Sequence, residues 1–441
     1  MGRQPGLFQE LPAAALVVLL PLAFFCLEVL VSLWPGKQTA ANTERTDPRV
    51  AVLIPAHNEQ AAIGRTLRTL LPTLGNGCRV VVVADNCDDN TAAICLELGA
   101  EVIERRDASR RGKGFALDFG LIYLAKCPLA RRASEGANGG SSVNHDGNPT
   151  PLLALRASEC GASEAPPDVV VFLDADCQVE QYTVWLLATA AHARQLPIQG
   201  LNLCQATAAG GVNQTVAALA FRFKNLVRAL GLSRLAGVCH LTGTGMAIPW
   251  ELIPYVKLAD GNVVEDMQLG IDLALRGCPP QFEPRACVNS PFPEQTAGFR
   301  TQRTRWEHGH LKTLFSQAPR LLALAVRQRR FSLLLLAFDL AIPPLSLLVM
   351  IWGATFTIGL IALAFAASPW PLLLLALGGA ALAVAILVGW WVHCWRVISF
   401  TSLLLAPLYA LRKLPIYGSF LARRQQEWVR TARDASLGEK I

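Results

Sequence analysis

Apolar residues in this chain fall into long runs near the ends and short runs in the middle. Residues 11–34, LPAAALVVLLPLAFFCLEVLVSLW, carry one formal charge, Glu28, over a length sufficient to cross a bilayer. The run exceeds the apolar core of a signal peptide and no small-residue cleavage site follows it, so it predicts an uncleaved anchor. From Phe331 to Leu411 the only formal charges are Asp339 and Arg396. Pro343 and Pro344 break this second stretch, which predicts one span over about 343–366, a turn at SPWP and a second span over 370–395. Residues 397–411 are short for a crossing and read as interfacial, re-entrant or a short third span. Four crossings would result if 331–366 formed a hairpin.

The middle of the chain has a different rhythm. Between about 48 and 320, short β-branched runs alternate with helical spacings, the pattern of an α/β domain with a mostly parallel sheet. RVAVLIP (49–55), RVVVVA (79–84) and VVVFLDADC (169–177) read as buried strands, with a weaker one at 101–104. Helical spacing covers 60–71, the stretch ending at Leu98, and 112–125. Residues 131–167 turn to Gly, Ser, Asn, Pro and Ala and read as a long mobile surface insertion. The expected organisation is an anchor (1–47), a cytosolic α/β domain (48–320), interfacial and transmembrane helices (321–411) and a basic cytosolic tail (412–441).

Composition supports that division. The chain is 52% hydrophobic and 17% charged, with a mean hydropathy of +0.35, values of a membrane protein with a large soluble portion. The net charge of +7 gathers beside the apolar runs, at Arg327, Arg329 and Arg330 on one side and Arg412, Lys413, Arg423, Arg424, Arg430 and Arg433 on the other. Both groups are expected to face the cytoplasm. The soluble region has no basic patch interleaved with aromatics, which argues against nucleic acid as a partner. The 12 cysteines form no CxxC pair and read as reduced thiols rather than as a zinc site.

Candidate chemistry sits where strands end. Asp174 and Asp176 follow an apolar strand, and two carboxylates there can hold Mg²⁺ or Mn²⁺ together with a substrate diphosphate; alone, the pair also fits an ordinary turn. Asp85 ends the second strand and can accept hydrogen bonds from a base or ribose. Glu265 and Asp266 begin a helical stretch, where carboxylates are favoured and where plain capping is the alternative. Gln302, Arg305 and Trp306 form Gln-x-x-Arg-Trp, with Arg303 between them. An arginine there can pair with a leaving phosphate and an indole can support a sugar ring, although a basic amphipathic helix at a membrane surface fits the same residues.

PAHNE (Pro55–Glu59), Asp85, Asp174-Ala175-Asp176, GTG (Gly243–Gly245), Glu265-Asp266 and QRTRW (Gln302–Trp306), in this order and flanked by spans, resemble the family 2 glycosyltransferases of GT-A fold. The pattern is similar to the membrane-embedded type that includes cellulose, hyaluronan and poly-N-acetylglucosamine synthases, and it covers roughly residues 50–310. The resemblance implies that Pro55, His57, Glu59 and Asp85 line a uridine pocket, with Lys113 meeting the same nucleotide. It implies that Asp174 and Asp176 hold the diphosphate through Mg²⁺ or Mn²⁺ and that Asp266 is the general base. Gln302, Arg305 and Trp306 would clamp the diphosphate and acceptor end, Glu265 and Thr244 would lie on that side, and Gly243 and Gly245 would let the acceptor sugar approach the backbone.

The reaction so implied is an inverting transfer from a UDP-sugar, forming a β-glycosidic bond. The expected acceptor is a growing polysaccharide at a bacterial-type inner membrane, with membrane lipids and other export subunits as partners. Transfer of one sugar to a lipid, as by ceramide glucosyltransferases, is the alternative, and a non-catalytic nucleotide-binding membrane protein is a remote one. Two features depart from the pattern: Val264 stands where Thr often precedes the Glu-Asp pair, and the 131–167 insertion is longer than needed. The 412–441 tail is expected to be too short for a cyclic-dinucleotide-binding domain.

Overall fold

A computed structural model describes residues 10–35, 48–75, 78–126, 166–207, 210–258, 265–293, 295–365 and 368–422. Val264, the 131–165 part of the expected insertion and the arginines beyond 422 lie outside these residues.

The short apolar runs become the centre of an eight-stranded sheet. Its strands are β1 (Val50–Ala56), β2 (Cys78–Asp85), β3 (Glu101–Arg105), β4 (Val169–Phe172), β5 (Gln178–Val179), β6 (Ile198–Gln205), β7 (Met246–Pro249) and β8 (Gln281–Pro291), in the order β3-β2-β1-β4-β7-β6-β8-β5. β3, β2, β1 and β4 are parallel neighbours, as are β6 and β8. Continuous apolar sequence is what such strands need, because helices cover both faces. Val52, Ile54, Val82 and Val171 pack under the helices Ile63–Leu70 and Thr183–Arg194 on one face. Leu53, Val81, Val83 and Phe172 pack under Lys113–Lys126 and Glu265–Leu275 on the other.

The sheet is mostly parallel, as the sequence predicts, and its antiparallel pairings lie at two strands. β7 runs antiparallel to both β4 and β6, and β5 runs antiparallel to β8. The four-residue β7 is short enough to carry no alternation that reports its direction. Chain order reverses beside β1, which has β2 on one side and β4 on the other. Open α/β sheets bind ligands beyond the carboxyl ends of strands at such a reversal.

Among the described residues three helices are long and apolar enough to span a membrane: Leu11–Ser32, Leu345–Ala364 and Trp370–His393. The helix Phe331–Ala341 has 11 residues, too few for a crossing that takes about 20, so 331–366 does not supply two spans. After Trp370–His393 the described residues form the short helices Phe400–Leu404, Ala406–Leu411 and Leu414–Ala422. Glu28, the one charge in the first apolar run, is fully buried and bonded to Arg228 Nε at 3.2 Å. Arg228 Nη2 also donates to Asp339 Oδ1 at 2.8 Å, so one arginine joins the N-terminal helix to Phe331–Ala341.

Candidate active site

The loops after β1, β2 and β4 converge because their parallel strands end at one edge. Beyond β1, the carbonyl oxygen of Asp85 lies 2.7 Å from His57 Nδ1, which joins the ends of β1 and β2. The backbone N–H of Glu59 donates to Thr91 Oγ1 at 2.7 Å. Asp85 is 5% exposed and its Oδ1 accepts from Arg105 Nη1 at 2.6 Å. Burial pushes its carboxyl above the usual range, and the Arg105 hydrogen bond opposes that shift.

Beyond β4, the Asp174 N–H donates to Thr244 Oγ1 at 3.0 Å. Lys113, at the start of its helix, donates to Asp174 Oδ1 at 2.5 Å and to the Gly243 carbonyl at 2.6 Å. One ammonium therefore fastens the Asp-x-Asp loop to the GTG loop. Burial pulls this ammonium down, but Asp174 first, then Asp266 and Glu265, more than offset it and the balance lies upward.

Asp266 enters from the first turn of Glu265–Leu275. Burial raises its carboxyl above the ordinary aspartate range, against Lys113, the Met267 N–H and Lys224, which pull the other way. Neighbouring Glu265 reaches the Lys113 helix where Gly114 leaves room: a Cβ there would meet Glu265 Oε2 at 2.9 Å and the Leu258 carbonyl oxygen at 1.9 Å.

Gln302, Arg305 and Trp306 lie on one 33-residue helix, Thr296–Gln328, spaced to share a face. The Trp306 ring packs against Phe221 with centroids 5.4 Å apart. Gln302 Oε1 is buried with no hydrogen-bond partner.

A single cavity of about 390 Å³ gathers Pro55, His57, Glu59, Asp85, Lys113, Asp174, Asp176, Gly243, Thr244, Glu265, Asp266, Gln302, Arg305 and Trp306. Gly245 is the one sequence-derived candidate outside its wall; a Cβ there would meet Val288 of β8 at 2.9 Å. Lys113 bridges the Asp-x-Asp and GTG loops and lines the cavity that also holds His57 and Asp85. The cavity also reaches Phe25 and Leu345 of the apolar helices and Pro343 and Pro344, which join Phe331–Ala341 to Leu345–Ala364.

Two carboxylates one residue apart beside open space suit a hard divalent cation, which takes oxygen ligands and shares them with substrate phosphates and water. Among the described residues no cluster of three His, Cys, Asp or Glu side chains could hold a metal by itself. The donor set therefore fits a cation that arrives with a diphosphate, not a resident one.

Sequence reasoning missed the inner wall, where Asn202, Lys224, Arg228, His310 and Tyr409 face the same space. The available signal was the spacing of Arg222, Lys224 and Arg228 within an otherwise apolar helical stretch.

Residues 48–309, more than half of the chain, match the family described as glycosyltransferase-like family 2. The chain belongs to that family. The probable glycosyltransferase YdaM of Bacillus subtilis is 26% identical over 278 residues, 60% of this chain and 55% of YdaM. Glycosyltransferase AglD of Haloferax volcanii is 32% identical over 120 residues, 25% of this chain and 16% of AglD. The family 2 chain thus spans about half the length of the first relative and less than a fifth of the second. Among solved structures, mannosyltransferase PcManGT from Pyrobaculum calidifontis, in complex with GDP-Man and Mn²⁺, superposes with a TM-score of 0.52 at 18% identity. The match covers 91% of this chain and 98% of that one. The chain has the GT-A fold, with an apolar helix before it and apolar helices after it.

Proposed function

We propose that this family 2 member is an inverting hexosyltransferase that moves a sugar from a UDP-sugar to an acceptor presented at the membrane. The observation that carries the reading is the placement of Asp266 in the same cavity as Asp174 and Asp176, with Lys113 interacting with all three loops that bear on the transfer. His57, Glu59 and Asp85, with Pro55, are assigned to the nucleoside end. Gln302, Arg305 and Trp306 are assigned to the leaving diphosphate and the acceptor sugar.

Asp174 and Asp176 would hold Mg²⁺ or Mn²⁺, and the cation would neutralise the charge that develops on the leaving diphosphate. Asp266 takes the proton of the attacking hydroxyl on its carboxylate. The new C1–O bond forms on the face opposite the C1–O–phosphate bond that breaks, so an α-linked donor gives a β-glycoside. UDP departs with the bonding electron pair. Lys113 holds the Asp174 carboxylate and the GTG backbone in register with the base throughout.

The three apolar helices support a site beside a membrane, and the arginines flanking the C-terminal helices favour a cytosolic catalytic domain. A lipid-borne acceptor is favoured by the cavity's contact with Phe25, Pro343 and Leu345. Extension of a polysaccharide is the second reading, favoured by the order of the motifs.

Membranes carrying the full chain, incubated with radiolabelled UDP-sugars and with GDP-mannose as contrast, provide the test. Incorporation from a UDP-sugar is expected. Incorporation from GDP-mannose alone would overturn the donor assignment, and a product immobile on chromatography would favour the polymer over the glycolipid.

A further inference from the structure

Trp306 and the residue after it have different neighbours. The Trp306 ring packs against Phe221, whereas Glu307 accepts a hydrogen bond from Lys413 Nζ and another from Tyr417 Oη at 2.9 Å. Tyr417 spends its proton on that carboxylate, so Ser346 Oγ, 2.8 Å away, donates to the same phenol oxygen. Ser346 lies in the first turn of Leu345–Ala364, while Lys413 and Tyr417 follow the last long apolar helix. One carboxylate therefore ties the helix of the Gln302–Trp306 motif to a span and to the segment after the spans.

The anchoring continues along the same helix. His308 Nε2 donates to the Ile416 carbonyl at 2.9 Å and His310 Nε2 donates to the Ile342 carbonyl at 3.1 Å, since a carbonyl can only accept. One turn before Glu307, the Arg303 guanidinium lies 4.6 Å from the Tyr409 ring centroid, and Lys413 Nζ lies 5.4 Å from the same centroid. Lys413, Tyr409, Tyr417 and Ser346 are buried, and the Glu307 side chain is 11% exposed. Arg303, Glu307, Tyr409 and Lys413 also line the cavity that holds Asp174 and Asp266.

Stability alone does not account for such a pair. Burying two charges costs desolvation, and apolar side chains of like volume commonly stabilise a fold as well or better. What the pair adds is direction: a carboxylate held by two donors fixes one rotation and one axial position of its helix. Apolar contacts leave both freer. The Asp-x-Asp and GTG loops are fastened separately, by Lys113.

We propose that Glu307 is a positioning residue for sugar transfer: with Lys413 and Tyr417 it sets the rotation and axial position of Thr296–Gln328, and so places Arg305 and Trp306 in the shared cavity. The kinetic part of this rests on the sugar-transfer reading; the anchor itself does not.

The test uses the full chain in detergent, with Tm, amide exchange along residues 300–312, and kcat and KM for radiolabelled UDP-sugars. Replacing both Glu307 and Lys413 by Met removes the directed bonds while keeping buried volume. That variant should keep a Tm near wild type, exchange faster along 300–312 and lose about tenfold or more in kcat, with a much smaller change in donor KM. Exchanging the partners, Glu307→Lys with Lys413→Glu, should recover most of the rate. Tyr417→Phe cuts only the link to Ser346 and should give a smaller loss.

A wild-type kcat in the double Met variant would overturn the positioning role. A double Met variant that loses Tm and kcat together would make the pair a stability element and overturn it as well. Failure of the exchanged pair to recover rate at a wild-type Tm would place the Glu307 carboxylate in the chemistry instead. Absence of transfer by the wild type from every UDP-sugar would sink the transfer reading; amide exchange unchanged in the double Met variant would separately sink the anchor.

Discussion

A Cβ on residue 243 would stand 2.9 Å from Asp266 Oδ2, so Gly243 is the surface against which the proposed base rests. The same residue has φ +87°, a conformation that costs side-chain-bearing residues roughly 1–2 kcal/mol. Gly243→Ala is therefore expected to displace the Asp266 carboxylate and lower kcat by about tenfold or more, because misplacement of about 1 Å can cost a hundredfold. UDP affinity should change little. Steady-state kinetics beside UDP titration checks this, and an unchanged kcat would refute the contact's importance.

Asp266→Asn keeps the shape of the base and removes its basicity. Transfer should fall by about 10²–10⁴-fold, the usual contribution of a positioned base, while UDP binding persists. Loss of UDP binding as well would place Asp266 in the donor pocket.

The pH dependence has a definite sign. Burial raises the Asp266 carboxyl above the ordinary aspartate value of about 3.9, and only the carboxylate accepts a proton. Activity should therefore decline as pH falls through that raised pKa, at a higher pH than an exposed aspartate would give. Lys113 is the strongest group holding the shift down, so Lys113→Gln should move the acidic limb to still higher pH. A kcat–pH profile of the two proteins measures this; movement to lower pH would contradict the arrangement.

What the sequence reveals and what it hides differ for a physical reason. Asp85, Asp174 and Asp176 were legible as one site because apolar strands of parallel type end at a common edge, and an acidic residue after such a strand stands where ligands bind. Gln302, Arg305 and Trp306 were legible through their spacing on one helix face. Lys224 was legible only as one of three basic residues in an apolar helical stretch, because the π-helical turn that carries it is a slip in backbone hydrogen bonding that no side-chain periodicity records. The direction of β7 was equally hidden, since its partners β4 and β6 lie far away in sequence and settle its direction by pairing. Glu28 looked like a stray charge in a span until Arg228, 200 residues away, supplied its partner.

That pairing predicts a stability effect. Replacing Arg228 with Leu leaves Glu28 and Asp339 as buried carboxylates without their shared cation, a loss of about 3–5 kcal/mol for a broken buried pair. Thermal unfolding in detergent should show a marked drop in Tm for Arg228→Leu. Glu28→Gln combined with Asp339→Asn should recover part of it in the Arg228→Leu background, because the uncompensated charges are then gone. A wild-type Tm for Arg228→Leu would show that the network contributes little.

Chelation tests the Asp174–Asp176 pair. With no resident three-ligand cluster among the described residues, the cation would be held by two carboxylates and the diphosphate it accompanies. EDTA should therefore abolish transfer without unfolding the protein, and Mn²⁺ or Mg²⁺ should restore it. Asp176→Asn removes one of the two carboxylates while leaving the Lys113–Asp174 bond in place, so the metal concentration for half-maximal rate should rise by about tenfold or more. The Tm of that variant should stay near wild type. Full activity in EDTA, or a metal requirement unchanged by Asp176→Asn, would assign neutralisation of the diphosphate to Lys113 and Arg305 instead.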